Sequence, residues 1–156
     1  ASLTKLGASA FEQCNNLTSL TVDPANSVFY STGNCVIEKA TGKLVCVAPE
    51  FVLPNDGSIT SMEGWIFNWR TFEEFTLPEG LVSISQCAFQ GCRNLKTLTI
   101  PASVTQIDRA AFQTCTNLTT VYYGGTEAQW AAMTIEEYND DLLNANIVFN
   151  YTPEVN

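Results

Sequence analysis

"CAFQGCRNLKTLTIP", residues 87–101, decides the fold, because the frame around its two cysteines recurs along the chain. Downstream of a phenylalanine the chain reads F-x-x-C-x-x-L-x-x-Φ-x-Φ three times, where Φ is apolar. The copies are "FEQCNNLTSLTV" from Phe11, "FQGCRNLKTLTI" from Phe89 and "FQTCTNLTTVYY" from Phe112. A fourth copy, "FNWRTFEEFTL" from Phe67, is one residue short and carries Arg70 in place of cysteine. Upstream, each phenylalanine follows Leu6, Met62, Ile84 or Ile107 by five residues, and each of those follows Leu3, Ile59, Leu81 or Val104 by three. Proline ends the run in three copies, at Pro24, Pro78 and Pro101.

Phe67, Phe89 and Phe112 are separated by steps of 22 and 23 residues. A period of this length with L-x-x-L-x-L lies in the leucine-rich repeat range. One such unit cannot bury its apolar side alone, so units stack and share one core. The L-x-x-Φ-x-Φ part alternates with period two and predicts a short parallel strand. Its apolar members face the core, and Ser19, Thr21, Glu74, Thr76, Thr97, Thr99, Thr120 and Tyr122 face the other way. The A-F-x-x-C part predicts a tight 3₁₀ or helical turn. Proline lacks an N–H and ends strand pairing.

This pattern resembles the BspA-like leucine-rich repeat family. The resemblance rests on "SLTKLGASAFEQCNNLTSLTV", on residues 81–130 and on "SVFYSTGNCVIEKATGKLV", and it runs from about residue 2 to 150. The ending "VYYGGTEAQWAAM" is similar to the way such arrays finish. It implies a right-handed solenoid from a cell-surface or secreted protein, mostly of host-associated bacteria. It also implies binding to proteins or host surfaces and no catalysis.

Composition narrows the classes independently. Lys plus Arg number 7 and Asp plus Glu 16, so the net charge is 7 − 16 = −9. Nucleic-acid binding needs cations to neutralise phosphates, and an anionic membrane surface needs them too. No apolar run approaches the roughly 18 residues that span a bilayer, and no signal peptide is visible. The chain is expected to be a monomer.

The 156 residues are expected to form one domain. The repeats fall at about 1–24, 58–78, 79–101 and 102–123, with an insertion at 25–57, a C-terminal closure at 124–150 and a frayed tail at 151–156. The first repeat begins mid-unit, which predicts a missing N-terminal neighbour. In the insertion, "CVIEKATGKLVCV" reads as a hairpin around Gly42. A four-residue turn sets Cys35 opposite Cys46, and a three-residue turn puts them on opposite faces, since a one-residue slip flips a strand. The sequence leaves both open. Thr126 and Gln129 form a capping box that starts a short helix, with Trp130 covering the open end of the core. Residues 145–150 read as a last strand.

Six cysteines and no histidine leave little room for metal or nucleophilic chemistry. No catalytic residue, metal ligand or cofactor is expected. Cys14, Cys92 and Cys115 share one repeat position and read as stacked small hydrophobes with free thiols. Trp65 is aligned with Ser9, Cys87 and Arg109, and Trp69 with Gln13, Gly91 and Thr114. With Arg70, these tryptophans are a candidate patch for a protein or a sugar ring. The favoured reading packs them against the insertion, because an exposed pair would be a costly apolar patch. Glu73/Glu74 point to opposite faces of a strand and make a poor acid pair. Glu136, Glu137, Asp140 and Asp141 read as a solvated loop. Asn16, Asn94 and Asn117 recur with the repeat and suit a turn role. The family resemblance implies a protein partner, and the tryptophans make a glycan the second class.

Overall fold

The computed structural model describes residues 3–11, 14 and 16–153, without the side chains of Ala8 and Ser9. A 3₁₀ turn (Ala8–Phe11) precedes strands β1 (Phe29–Thr32), β2 (Cys35–Glu38), β3 (Lys43–Val47), β4 (Ser61–Met62), β5 (Glu74–Thr76) and β6 (Ser83–Ile84). Then come β7 (Thr97–Ile100), β8 (Gln106–Ile107), β9 (Thr120–Tyr123), helix α1 (Glu127–Ala132), β10 (Thr134–Ile135), helix α2 (Asp140–Leu143) and β11 (Asn146–Val148).

The 22–23-residue period puts equivalent residues side by side, so each unit adds one rung to two parallel ladders. One ladder runs β5, β7, β9, β11. Its register sets Phe75, Leu98, Val121 and Ile147 in one row, facing the core. The other runs β6, β8, β10, and the Val82 N–H donates to Thr60 O at 2.8 Å to carry it on to the β4 segment. The turns between the ladders bond in the same way: Phe67 N donates to Ala88 O and Phe89 N to Ala111 O, at 2.9 and 2.8 Å.

The repeated phenylalanines form a column through the core. Phe51, Phe67, Phe89 and Phe112 stack with centroid separations of 5.5, 4.9 and 5.2 Å, and the last three are fully buried. Such aromatic contacts add about 0.5–1.5 kcal/mol per pair beyond area burial. Phe11 is not in the column. It packs with Leu6, Leu20 and Val22 on a second cluster made of Phe29, Val36, Val45 and Cys46.

Residues 25–57 explain that division. β2 pairs antiparallel with β1 and β3, and β3 runs parallel to β4 with Lys43 opposite Ser61. The sheet is buried on both sides, which suits its unbroken apolar runs. Cys35, Ile37, Leu44 and Val47 face the phenylalanine column, and Val36, Val45 and Cys46 face the first unit. The cysteine register combines the two alternatives. Ile37 stands opposite Leu44, the register of a four-residue turn, but a bulge shifts the pairing so that Val36 meets Cys46 and Cys35 meets Val47. Val45 and Cys46 consequently share one face, and the two thiols lie on opposite sides of the sheet.

The segment expected to break the repeat therefore carries part of it. β3 adds a rung beside β4. "FVLP" at 51–54 matches "FTLP" at 75–78 and "LTIP" at 98–101. Phe51 joins the column, and its ring lies 6.3 Å from that of Phe75.

At the other end, Thr126 caps α1 in a reciprocal box with Gln129. Trp130 packs edge-on against Tyr123 at 5.2 Å. β11 pairs with β9 in parallel. Tyr151, assigned to a frayed tail, is held instead: its N–H donates to Tyr123 O at 3.0 Å and its ring lies 4.4 Å from Tyr122. Residues 154–156 lie outside the described residues.

Candidate functional site

The strand ladder builds the first candidate surface. Glu74, Thr97, Thr120 and Asn146 form one outward row, and Thr76, Thr99, Tyr122 and Val148 form the next. Adjacent rungs stand about 4.8 Å apart. Glu74, Thr76, Thr97, Thr99, Tyr122 and Tyr151, together with Phe75, line a polar hollow of about 320 Å³. Its hydroxyls can each donate and accept. Among the described residues the ion pairs are Lys43–Glu63 and Lys96–Glu73, so Glu74 faces the hollow with its charge uncompensated. The hydrogen bond from Lys96 holds the neighbouring Glu73 carboxyl below its ordinary pKa.

Ser19 and Thr21, assigned to the same face, are not part of it. No strand forms over residues 16–24. The Leu20 N–H donates to Asn34 Oδ1 at 3.2 Å and the Val22 N–H to Ser31 Oγ at 2.8 Å. Side chains of the β1–β2 hairpin satisfy this backbone and leave it without a ladder partner. Asn146, Val148 and Tyr151 were missed. The strand reading of 145–150 contained the first two, but the extra helix α2 hid their register. Tyr151 carries no repeat signal.

The turns build the second candidate surface. Trp65, Cys87, Ala110 and Tyr138 all have φ between +56° and +64°, and so share one left-handed position. Trp65 is therefore aligned with Ala110, not with Arg109. Trp69, Gly91 and Thr114 share another, with φ of +58°, +76° and +64°. The expected packing of the tryptophans on the insertion is not what the structure shows: Trp65 is 47% and Trp69 58% exposed. Phenylalanines take up the insertion instead, with Phe51 against Phe67, Phe72 and Phe75. The left-handed backbone swings both indoles outward. Trp69 reaches across to the next unit, where a Cβ on Gly91 would fall 2.4–2.8 Å from three of its ring atoms. The Arg93 guanidinium carbon is 5.5 Å from that ring's centroid. The side chain of Ser9 and all of Gln13 lie outside the described residues.

Arg70 does not join this patch. Its guanidinium donates to Pro49 O and Ala48 O at 3.1 and 3.2 Å and lies 5.9 Å from the Phe51 ring. Burial lowers its pKa from the ordinary value. The cysteines at the same repeat position do the same work at shorter range. Cys92 Sγ donates to Phe67 O at 3.0 Å and Cys115 Sγ to Phe89 O at 3.2 Å. Both thiols are free, and burial pushes each up to about 12. Cys14 is exposed rather than stacked, because its unit packs on the outer cluster and not on the column. Asn117 Nδ2 donates to Arg93 O at 2.6 Å, a turn role. Among the described residues no three His, Cys, Asp or Glu side chains gather to hold a metal, and no helix is long and apolar enough to cross a membrane.

The BspA type leucine rich repeat model matches residues 1–40 and 45–137, with six copies. The chain belongs to that family. Its repeats extend through most of residues 25–57, in line with the rung formed by β3 and with "FVLP". No curated protein matches the chain. Among solved structures, a leucine rich cell surface protein from Faecalibacterium prausnitzii A2-165 is 24% identical with a TM-score of 0.49, over 86% of this chain and 49% of that one. The chain thus spans about half the length of that protein.

Proposed function

We propose that this BspA-type chain is a non-catalytic binding module of a cell-surface or secreted protein, recognising a partner protein through its strand face. The observation that carries this is the hollow of about 320 Å³ where three threonines, two tyrosines and Glu74 converge on one side of the ladder. Solenoids bind through such continuous surfaces. Family membership supports a surface location and an adhesive role. We read the whole chain as one right-handed leucine-rich repeat domain, monomeric, with the hairpin as an added module and α1, Trp130 and β11 closing its end.

The test is a panel of extracellular matrix proteins and epithelial surface proteins measured by surface plasmon resonance. The protein is compared with its Thr97→Arg and Thr99→Arg variants. Both residues are half-exposed and lie on the central strand, so the variants should fold. A ligand whose affinity drops at least tenfold in both supports the reading. A ligand bound equally by all three proteins counts against it, as does a panel without any ligand. A spacer without ligands of its own would give the second result.

A further inference from the structure

The turn edge differs in charge from the rest of the molecule. Residues 64–70, 86–94 and 109–117 form the turns of three successive units. They hold all three arginines of the chain and none of its 16 acidic residues. The four lysines all lie elsewhere. In an anionic protein of net charge −9 these three turns carry no carboxylate, while the turn stacked beyond 109–117 on the same edge carries Glu136, Glu137, Asp140 and Asp141, with Glu136 accepting from the Arg109 N–H at 2.8 Å. Arg70 is committed to the Ala48 and Pro49 carbonyls. Arg93 is exposed, has no carboxylate partner among the described residues, and has its guanidinium carbon over the Trp69 ring, 5.5 Å from the centroid.

The same edge carries two tryptophans in a strained conformation. A left-handed φ is rare for bulky residues and is found where structure or function requires it. At the Trp65 position the other units place Cys87, Ala110 and Tyr138, and at the Trp69 position Gly91 and Thr114. The strain is not offset by burial, since about half of each tryptophan is exposed. Nor is Trp69 a knob awaiting a pocket. The three Trp69 ring atoms nearest to where a Cβ on Gly91 would stand are bonded in sequence, and all would lie at 2.4–2.8 Å. Such near-equal distances require the ring to present its face, not its rim, to Gly91. The indole is a flat platform seated on the next unit, with its exposed surface turned to solvent.

From these features we propose that the turn edge is a second binding site, for a glycan bearing carboxylate or sulfate groups. The exposed indole stacks on the C–H face of a pyranose ring, and Trp65 provides a second aromatic contact in the same turn. The guanidinium of Arg93 donates in-plane hydrogen bonds to the acidic substituent, the bidentate geometry that arginine favours. A flat platform disfavours the inserted-anchor mode of protein hot spots, and the three turns at 64–70, 86–94 and 109–117 carry no carboxylate of their own to repel an acidic ligand. The site is separate from the strand face and stands or falls apart from it.

The experiment is a tryptophan-fluorescence and calorimetric titration with three hexasaccharides, one heparin-derived, one oligogalacturonate and one neutral cello-oligosaccharide, with oligoglutamate as the peptide control. At least one acidic glycan should bind at least tenfold more tightly than the neutral glycan and oligoglutamate, and binding should weaken as salt rises. Trp69→Ala should abolish it. Arg93→Gln should remove the preference for the acidic glycan over the neutral one. Gly91→Ala should weaken binding by unseating the ring while Trp69 itself is retained. Thr97→Arg, on the strand face, should leave the affinity within twofold. Exposure makes Trp69 and Arg93 safe to replace, and circular dichroism verifies folding. No binding to either acidic glycan overturns the proposal. So does equal binding of oligoglutamate, or acidic-glycan binding unaffected by Trp69→Ala and Arg93→Gln.

Discussion

Residues 58–123 and residues 25–57 solve the same packing problem by different means. In the first region one phenylalanine and two strand rungs recur per unit, with a thiol at the same position in two of the three units, Cys92 and Cys115, and Arg70 in the third; each unit touches only its neighbours. In the second a three-stranded antiparallel sheet, β1–β3, separates the first unit from the column. The solenoid survives because two pieces of that region imitate a repeat, β3 beside β4 and Phe51 on the column. What a solenoid transmits is the rung and the core position, not the whole unit.

The sharpest way to break the comparison is at the centre of the column. Phe89 is fully buried between Phe67 and Phe112. Phe89→Ala should cost about 3–5 kcal/mol, and urea unfolding followed by circular dichroism measures it. Both neighbours lose a stacking partner, so the whole of 58–123 should unfold at lower urea. A loss below about 2 kcal/mol would mean that the units are held mainly by their backbone ladders.

Next comes the outer cluster. Phe29 is 3% exposed and packs on the far side of the sheet. Phe29→Ala should cost about 3 kcal/mol, confined mainly to residues 3–57. The three tryptophans, Trp65, Trp69 and Trp130, all lie beyond that region. Circular dichroism should therefore detect an early transition that fluorescence does not. Coincident transitions would make the two regions one cooperative unit.

The junction between the regions is Arg70. Arg70→Cys installs the residue that the next two units carry, yet it should destabilise by about 1–2 kcal/mol. A thiol cannot reach the Ala48 and Pro49 carbonyls, and charge-assisted bonds of this kind contribute about 1.5–3 kcal/mol when well shielded. Half-exposure lowers the figure. Thermal melting of the single variant decides it, and an unchanged midpoint would make the contact dispensable.

The regular region was legible in the sequence because stacking demands the same residue at the same position. Phe67, Phe89, Phe112 and the rows through Thr97 and Thr120 follow from period alone. The rest depends on contacts that carry no period. Ser19 and Thr21 fit the motif but lost their ladder, since Asn34 and Ser31 capture the backbone beside them. Trp65 and Trp69 were expected to be buried on grounds of hydrophobic cost. A left-handed backbone at both positions, set by the turn and not by residue type, turns them outward. "FVLP" was visible but lay beyond a hairpin that broke the spacing.

The thiols give the cleanest contrast between a packed and an unpacked copy of one motif position. Cys92 and Cys115 are buried and pushed up to about 12, as is Cys35, and Cys46 to about 11. Cys14 is exposed. A thiol-reactive dye at pH 8 should label Cys14 within minutes in the folded protein and the buried cysteines only on unfolding; Cys14→Ser should remove the fast phase. The same burial fixes a pH dependence. A group whose folded pKa is raised favours folding fully below its unfolded value, here about 9. Above that pH the unfolded chain releases protons that the folded one retains, so stability falls as pH rises from about 9 toward about 12. The slope is at most about 1.4 kcal/mol per pH unit for each buried thiol. Cys115→Ala should reduce that slope by removing one thiol from the sum, and Cys14→Ser should leave it unchanged. Equal slopes in both variants would mean that the alkaline loss comes from tyrosines or lysines and not from the buried thiols.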